Sequence, residues 1–250
     1  MWLTAGFWGL LSGSALVIGA AAGYFLKLRK QTISFVMAFG SGVLVSALSF
    51  DLMDVAYKEG GFFAVSVGFL IGAVIYTLAS NYLNSRGAKN RKRSSRAQMS
   101  ETEKSGSGLA IALGALLDGI PESIVIGISI LSGKGVSVVA VAAVFVSNIP
   151  EGLSSASGMR KSGRSARYVF TVWGAIALLS GLGSLVGYAV FGGFPIEVTA
   201  ATTAVAAGAI LAMLVTTMIP EANEGEHEWA GLVTVLGFLV AFVISKIGEL

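Results

Sequence analysis

Two short segments carry the residues most able to do chemistry. "DGIPES" (118–123) and "SNIPEG" (147–152) each place a glutamate directly after a proline inside an otherwise apolar stretch. Asp118 and Glu122 are four residues apart, so on a helix they share one face; Ser147 and Glu151 do the same, with Asn148 beside them. Together they make an oxygen-rich set: two glutamates, one aspartate, an amide and a hydroxyl. Proline inside a helix removes one backbone hydrogen bond. Pro121 is therefore expected to free the carbonyl of Leu117, Pro150 that of Val146, and each to open its helix. Three carboxylates in a low-dielectric setting repel one another, and each costs at least about 2.5 kcal/mol at a bilayer centre. No Lys or Arg lies within the apolar runs to offset them. A divalent cation is the simplest compensation, and oxygen donors suit one.

The elements that must hold these residues are membrane helices. Hydrophobic residues make up 54% of the 250 and charged ones only 12%, against about 25% charged in a soluble domain. Residues 1–26, 31–50, 60–85, 168–196 and 198–220 carry no charge, and a span needs roughly 20 apolar residues. The strand-length alternation of a transmembrane barrel is absent. The expected fold is all-α, a polytopic membrane protein of eight transmembrane helices at roughly 2–26, 31–56, 61–84, 107–131, 135–158, 168–191, 198–221 and 229–247. The 33 glycines suit close helix packing. There is no cysteine, and one histidine, His227, which rules out a site of several imidazoles. The first residues lack the basic start of a signal peptide and read as a retained helix.

Charge sets the orientation. Fourteen of the seventeen basic residues fall in three connections: after the first span (Lys27, Arg29, Lys30), after the third (Arg86, Lys89, Arg91, Lys92, Arg93, Arg96, Lys104) and after the fifth (Arg160, Lys161, Arg164, Arg167). The positive-inside rule puts these in the cytoplasm and both termini outside. The long third connection, "SRGAKNRKRSSRAQMSETEKSGSG", reads as a disordered orientation signal rather than a surface for nucleic acid or anionic lipid.

Two internal similarities bear on the architecture. "GVLVSALSFDLMDVA" (42–56) aligns with "GAILAMLVTTMIPEA" (208–222) at an offset of 166, in spans that run in opposite directions, as in an inverted repeat. "DGIPES" and "SNIPEG" repeat at an offset of 29 in consecutive, antiparallel spans, which would bring Glu122 and Glu151 face to face near the midplane. The other acids divide between the two ends. Asp51 and Asp54 suit a cation entrance or an ordinary solvated helix end. Glu221, Glu224 and His227, in an acidic stretch without basic residues, suit an exit or an exposed loop.

The Pro-Glu motifs in the fourth and fifth spans, the long third loop and the "MIPEA" of the seventh span resemble the ZIP (Zrt/Irt-like) divalent metal transporters over nearly the whole chain. The resemblance implies one transmembrane domain in a 3+2+3 arrangement: helices one to three (1–84), a basic cytoplasmic loop (85–107), helices four and five with the metal site (108–158), and helices six to eight (159–250). It implies Asp118, Glu122, Ser147, Asn148 and Glu151 as the metal site, import of zinc, iron or manganese as substrate without an organic cofactor, a homodimer, and a bacterial inner membrane. Asp118 and Ser147 stand where the family usually has imidazole or similar ligands, Gly119 stands at a ligating asparagine, and the third loop has no histidine. Oxygen ligands favour harder ions such as Mn²⁺. Proton-linked solute transport and a non-transporting metal-binding membrane protein are the alternatives. No P-loop, Ser-His-Asp or His-Glu-x-x-His pattern points to an enzyme.

Overall fold

Long apolar stretches leave the backbone no hydrogen-bonding partner but itself, and the chain answers with helices. The computed structural model describes residues 2–132, 136–224 and 228–248, and these are helical without any strand. The helices are α1 (Trp2–Phe25), α2 (Lys30–Ala47), α3 (Asp54–Leu83), α4 (Ser107–Ser129), α5 (Val138–Lys161), α6 (Ala166–Phe191), α7 (Ile196–Met213), the short α8 (Ile219–Ala222) and α9 (Ala230–Gly248). Seven helices among the described residues are long and apolar enough to cross a membrane, which makes this an integral membrane protein. Large apolar side chains such as Leu3, Phe62, Phe63, Leu70, Leu78 and Leu232 face outward, as expected where the surrounding solvent is lipid.

One of the seven is the 59-residue run Lys30–Ala88, where the sequence suggests two separate spans. The expected gap at 57–60 falls inside α3, and a π-helical turn, Leu48–Met53, joins α2 to α3. The run is broken at Gly61, whose φ of 72° and ψ of 173° are open to glycine alone. A straight helix of that length would extend roughly 90 Å, three times the hydrocarbon core. The two sides of the break also pack differently: α2 lies against α9 and α5, whereas α3 lies along α7. Elsewhere α1 packs on α5 and α6, and α4 on α6 and α7.

The segments related by the offset of 166 share local features. The π turn Leu48–Met53 after α2 has a counterpart in Leu214–Met218 after α7. Backbone approach repeats as well. A Cβ on Gly42 would overlap the carbonyl oxygen of Thr234 in α9, and one on Gly208 that of Phe69 in α3. In the same two interfaces Gly72 abuts the carbonyl of Val205 and Gly237 that of Phe39. Both helix pairs thus close on each other through the same device, a missing side chain that admits the partner's backbone.

The third connection is ordered, contrary to what its polar composition suggests, because its charged groups find partners on the helices. Its far end is held by Glu101, whose carboxylate accepts from the backbone N–H of Gly106 (2.6 Å) and Gly108 (3.1 Å) and from Arg164 (2.8 Å). Glu101 thereby caps the start of α4 from a distance in sequence. The Arg164 hydrogen bond, reinforced by the two backbone donors, holds Glu101 down at about 2 from its ordinary 4.5. A depressed carboxylate stabilises above its unfolded pKa and ceases to do so as pH falls through the folded one. Proteolysis of the loop should therefore quicken between pH 4.5 and 2 in the native chain. In Glu101→Gln it should already be fast at pH 7; equal rates at pH 7 would refute the cap.

Gly208→Ala should lower stability by about 1–3 kcal/mol through overpacking, read as thermal unfolding in detergent. Gly174→Ala, which has open space around it, should stay within about 1 kcal/mol of the parent. Equal effects at the two positions would rule out the close approach as a packing determinant.

Candidate functional site

The two Pro-Glu motifs lie in the middles of α4 and α5, and both helices run through their prolines without ending. Neither Pro121 nor Pro150 interrupts its helix. The loss of one hydrogen bond is tolerated within the packed bundle. Asp118, Glu122, Ser147, Asn148 and Glu151 are all buried. Their side chains do not share one set of partners. Asn148 donates its amide to the Ser12 carbonyl on α1 (3.0 Å), and Ser147 donates to the Val144 carbonyl one turn back (2.9 Å). The direction a Cβ would take from Gly119 leads toward Ile176 and Ser180 of α6.

The compensation for the buried carboxylates comes from the chain itself. Three consecutive basic residues of the third connection, Arg91, Lys92 and Arg93, reach four acidic residues, Asp118, Glu151, Glu221 and Glu224. Arg91 grips Asp118 bidentately, Nε to Oδ2 at 2.9 Å and Nη2 to Oδ1 at 2.8 Å. Tyr76 of α3 donates to the same carboxylate at 2.6 Å and accepts from Arg91 Nη2 at 2.8 Å. Lys92 lies between the two motifs, with Nζ 2.7 Å from Glu151 Oε2 and 3.2 Å from Asp118 Oδ2. Its third contact is Met213 Sδ on α7 at 3.2 Å. Arg93 pairs with Glu224 at 3.2 Å, approaches Glu221 at 3.6 Å, and donates to the Pro220 carbonyl at 2.7 Å.

The backbone between these side chains is also held. Ser154 of α5 donates to the Lys92 carbonyl at 2.7 Å, Lys161 to that of Ser94 at 2.9 Å, and the Ser94 N–H donates to Glu221 Oε1 at 3.0 Å. Gln98 Nε2 sits within bonding distance of the carbonyls of Arg91, Arg93 and Ser155. Ser154 is seven residues from the end of α5, so the loop backbone dips roughly 10 Å into the bundle at 1.5 Å per residue. Irregular backbone survives at such depth only when protein surrounds it.

The candidate acids at the two ends have partners too. Asp51 accepts from Ser245 of α9 at 2.8 Å, and Asp54 pairs with Lys58 at 2.6 Å. Glu221 is fully buried, and Glu224 meets Lys30 at 3.2 Å as well as Arg93. Glu221 and Glu224, in a stretch that looks purely acidic in sequence, thus meet basic groups from α2 and from the third connection. Partial burial pushes Glu224 up, but its hydrogen bonds with Glu221 and Lys30 and the charges of Arg93 and Lys30 hold it below the ordinary carboxylate range. His227 lies outside the described residues.

Three buried carboxylate oxygens have no hydrogen-bond partner among the described residues: Glu122 Oε1, Glu151 Oε1 and Glu221 Oε2. The last lies 3.6 Å from Arg93 Nη1, which leaves the first two apart from the network. Glu122 also lines a small cavity of about 20 Å³ walled by Leu48, Leu52, Ala140, Val144 and Ile210. Among the described residues no three His, Cys, Asp or Glu side chains close on one point; the position between Asp118 and Glu151 is taken by the ammonium of Lys92. On the loop side of Lys92 a wider cavity of about 190 Å³ is lined by Asn84, Lys89, Asn90, Lys92, Arg93, Thr216, Thr217 and Pro220. Sequence reasoning missed Tyr76, Arg91, Lys92 and Met213. The signal for two of them was the Arg-Lys-Arg run itself, the densest positive charge in a chain whose buried acids lacked a partner.

No family model matches the chain, and no curated protein matches it.

Removing Arg91 would leave Asp118 short of its main counter-charge. Arg91→Met should cost about 3–5 kcal/mol, the usual penalty for breaking a buried pair, and Arg91→Met with Asp118→Leu should recover the larger part. Thermal unfolding of the three proteins in detergent measures this. A single variant as stable as the parent would show that the pair does not anchor the loop.

Proposed function

We propose that the protein carries divalent metal cations across the membrane through the carboxylates at the centres of α4 and α5. The observation that carries the reading is the pair of buried, unpartnered oxygens on Glu122 and Glu151, at mid-helix and on neighbouring elements. Buried acids are retained at such depth when they serve a pathway. The resemblance of the two motifs to those of ZIP transporters supports the same conclusion, with Zn²⁺, Fe²⁺ or Mn²⁺ as substrate and oxygen donors favouring the harder ions.

In this reading the break at Gly61 divides the long run into two crossings. Eight segments then stand in a 3+2+3 order, with the paired π turns and paired glycine contacts as traces of an inverted repeat. The three basic connections lie at the cytoplasmic end, and both termini are outside. Asp118 is a structural anchor for the third connection, and Glu122 and Glu151 are the residues left to hold the cation. The direction of transport is inward.

A second reading is favoured by Lys92: a carboxylate–ammonium site can pass protons without a metal. It predicts flux that responds to pH and ignores divalent cations.

Reconstituted into proteoliposomes, the native protein should take up Mn²⁺, and Glu122→Ala and Glu151→Ala should each reduce initial uptake at least about tenfold, since losing even an outer-shell partner of a metal ligand costs about 10–100-fold. Asn148→Ala, which only loses a contact to α1, should keep most of the flux. Native-level uptake by both glutamate variants would eliminate the site.

A further inference from the structure

We infer that Lys92 is a tethered competitor for the transported cation, and that it sets both the concentration threshold of the site and its preference for double charge. The inference rests on the reading of Glu122 and Glu151 as a cation site. Its ground is positional. The Lys92 ammonium already occupies a cation's place, 2.7 Å from Glu151 and 3.2 Å from Asp118. An ion held by both oxygens of Glu151 must displace it from Oε2, and one held by the unpartnered Oε1 alone must sit against its charge.

The surroundings separate what is fixed from what can yield. Arg91 is locked by two hydrogen bonds to Asp118 and a third to Tyr76, and a planar fork of that kind resists rearrangement. The Lys92 backbone is pinned through Ser154. Its side chain ends in a point charge with rotatable donors, held by single contacts to Glu151, Asp118 and Met213. The same residue lines the 190 Å³ cavity on its loop side, so there is room for the side chain to swing away while the backbone stays. The tether is short, and Lys92 therefore competes at an effective concentration in the millimolar range or above.

Charge then decides which free ions succeed. Asp118 remains balanced by Arg91 after Lys92 leaves. Glu122 and Glu151 together offer two negative charges, which a divalent ion matches. A monovalent ion brings the same single charge as the ammonium it must displace, without the advantage of a tether. Lys92 thus filters by valence, although the ligands themselves are simple carboxylates. When the divalent ion departs toward the loop side, the ammonium returns to Glu151 and opposes re-binding.

The test compares the native protein with Lys92→Met, which keeps the length of the side chain, and with Lys92→Gln as a second neutral variant. Initial Mn²⁺ uptake into proteoliposomes gives the half-saturating concentration. Mn²⁺-induced thermal stabilisation in detergent gives binding without transport. The neutral variants should shift both curves to lower Mn²⁺, by about tenfold. Excess Na⁺ should now inhibit them while leaving the native protein unaffected. Lys92→Arg should stay close to native.

A residue that merely supports the fold would weaken Mn²⁺ binding when replaced, so an unchanged or rightward curve in a folded variant overturns the inference. If the native protein takes up Mn²⁺ and the neutral variants show the native half-saturation, the inference falls and the transport reading stands. If only the neutral variants bind Mn²⁺ and none transports it, the competitor role holds and the transport reading falls. Absence of Mn²⁺ binding in all of them overturns both.

Discussion

Buried negative charge must be answered, and the arrangement of this molecule follows from how it is answered. Asp118 and Glu151 sit in the middles of helices, with no basic residue on α4 and only Arg160 and Lys161, at its far end, on α5. The chain supplies positive charge by bending its third connection into the bundle, where Arg91 and Lys92 become as buried as the acids they meet. Insertion of an irregular segment would be costly if its backbone were unsatisfied. Ser154, Lys161, Gln98 and the carboxylate of Glu221 therefore take up its polar groups. An interaction between four side chains thus dictates the path of a whole connection, and through Arg93 it also ties that connection to α8.

Packing supplies the second constraint. Helices in lipid gain little from apolar burial against each other and depend on close fit. The contacts of α2 with α9 and of α3 with α7 are made by glycines that admit the partner's carbonyls. These pairs flank the carboxylate helices, since α2 also packs on α5 and α7 on α4. Rigid side walls of this kind let α4 and α5 carry charged residues and prolines in their centres while remaining continuous helices.

Much of the helical layout was legible in composition and charge, because apolar runs near 20 residues have one common solution in a membrane. The joint between α2 and α3 was not: Asp51 and Asp54 read as the outer end of one span and Lys58 as the gap before the next, yet helical turns run through all three, with Asp54 paired to Lys58 one turn on. Among the candidate site residues, Asp118, Glu122 and Glu151 stood out as acids in apolar sequence. Their counter-charges did not, because the Arg-Lys-Arg run is separated from Asp118 by a turn-rich stretch and carries the signature of an orientation signal. Statistics of loop charge describe where such residues usually end up. They do not describe a loop with buried acids within reach. Tyr76 was hidden for another reason, since an aromatic residue in a membrane helix has no reason to stand out until its hydroxyl is seen on Asp118.

The π turns after α2 and α7 carry a mechanical consequence. A π turn holds one residue more than the α-helical turn it replaces, so winding it back to α geometry would rotate everything beyond it by about 100° and advance it by about 1.5 Å. At Leu48–Met53 the part beyond the turn includes Asp54; at Leu214–Met218 it includes Glu221. Each of these two joints therefore holds one spare residue of helical register, wound in place before a carboxylate, as a clock spring holds a turn.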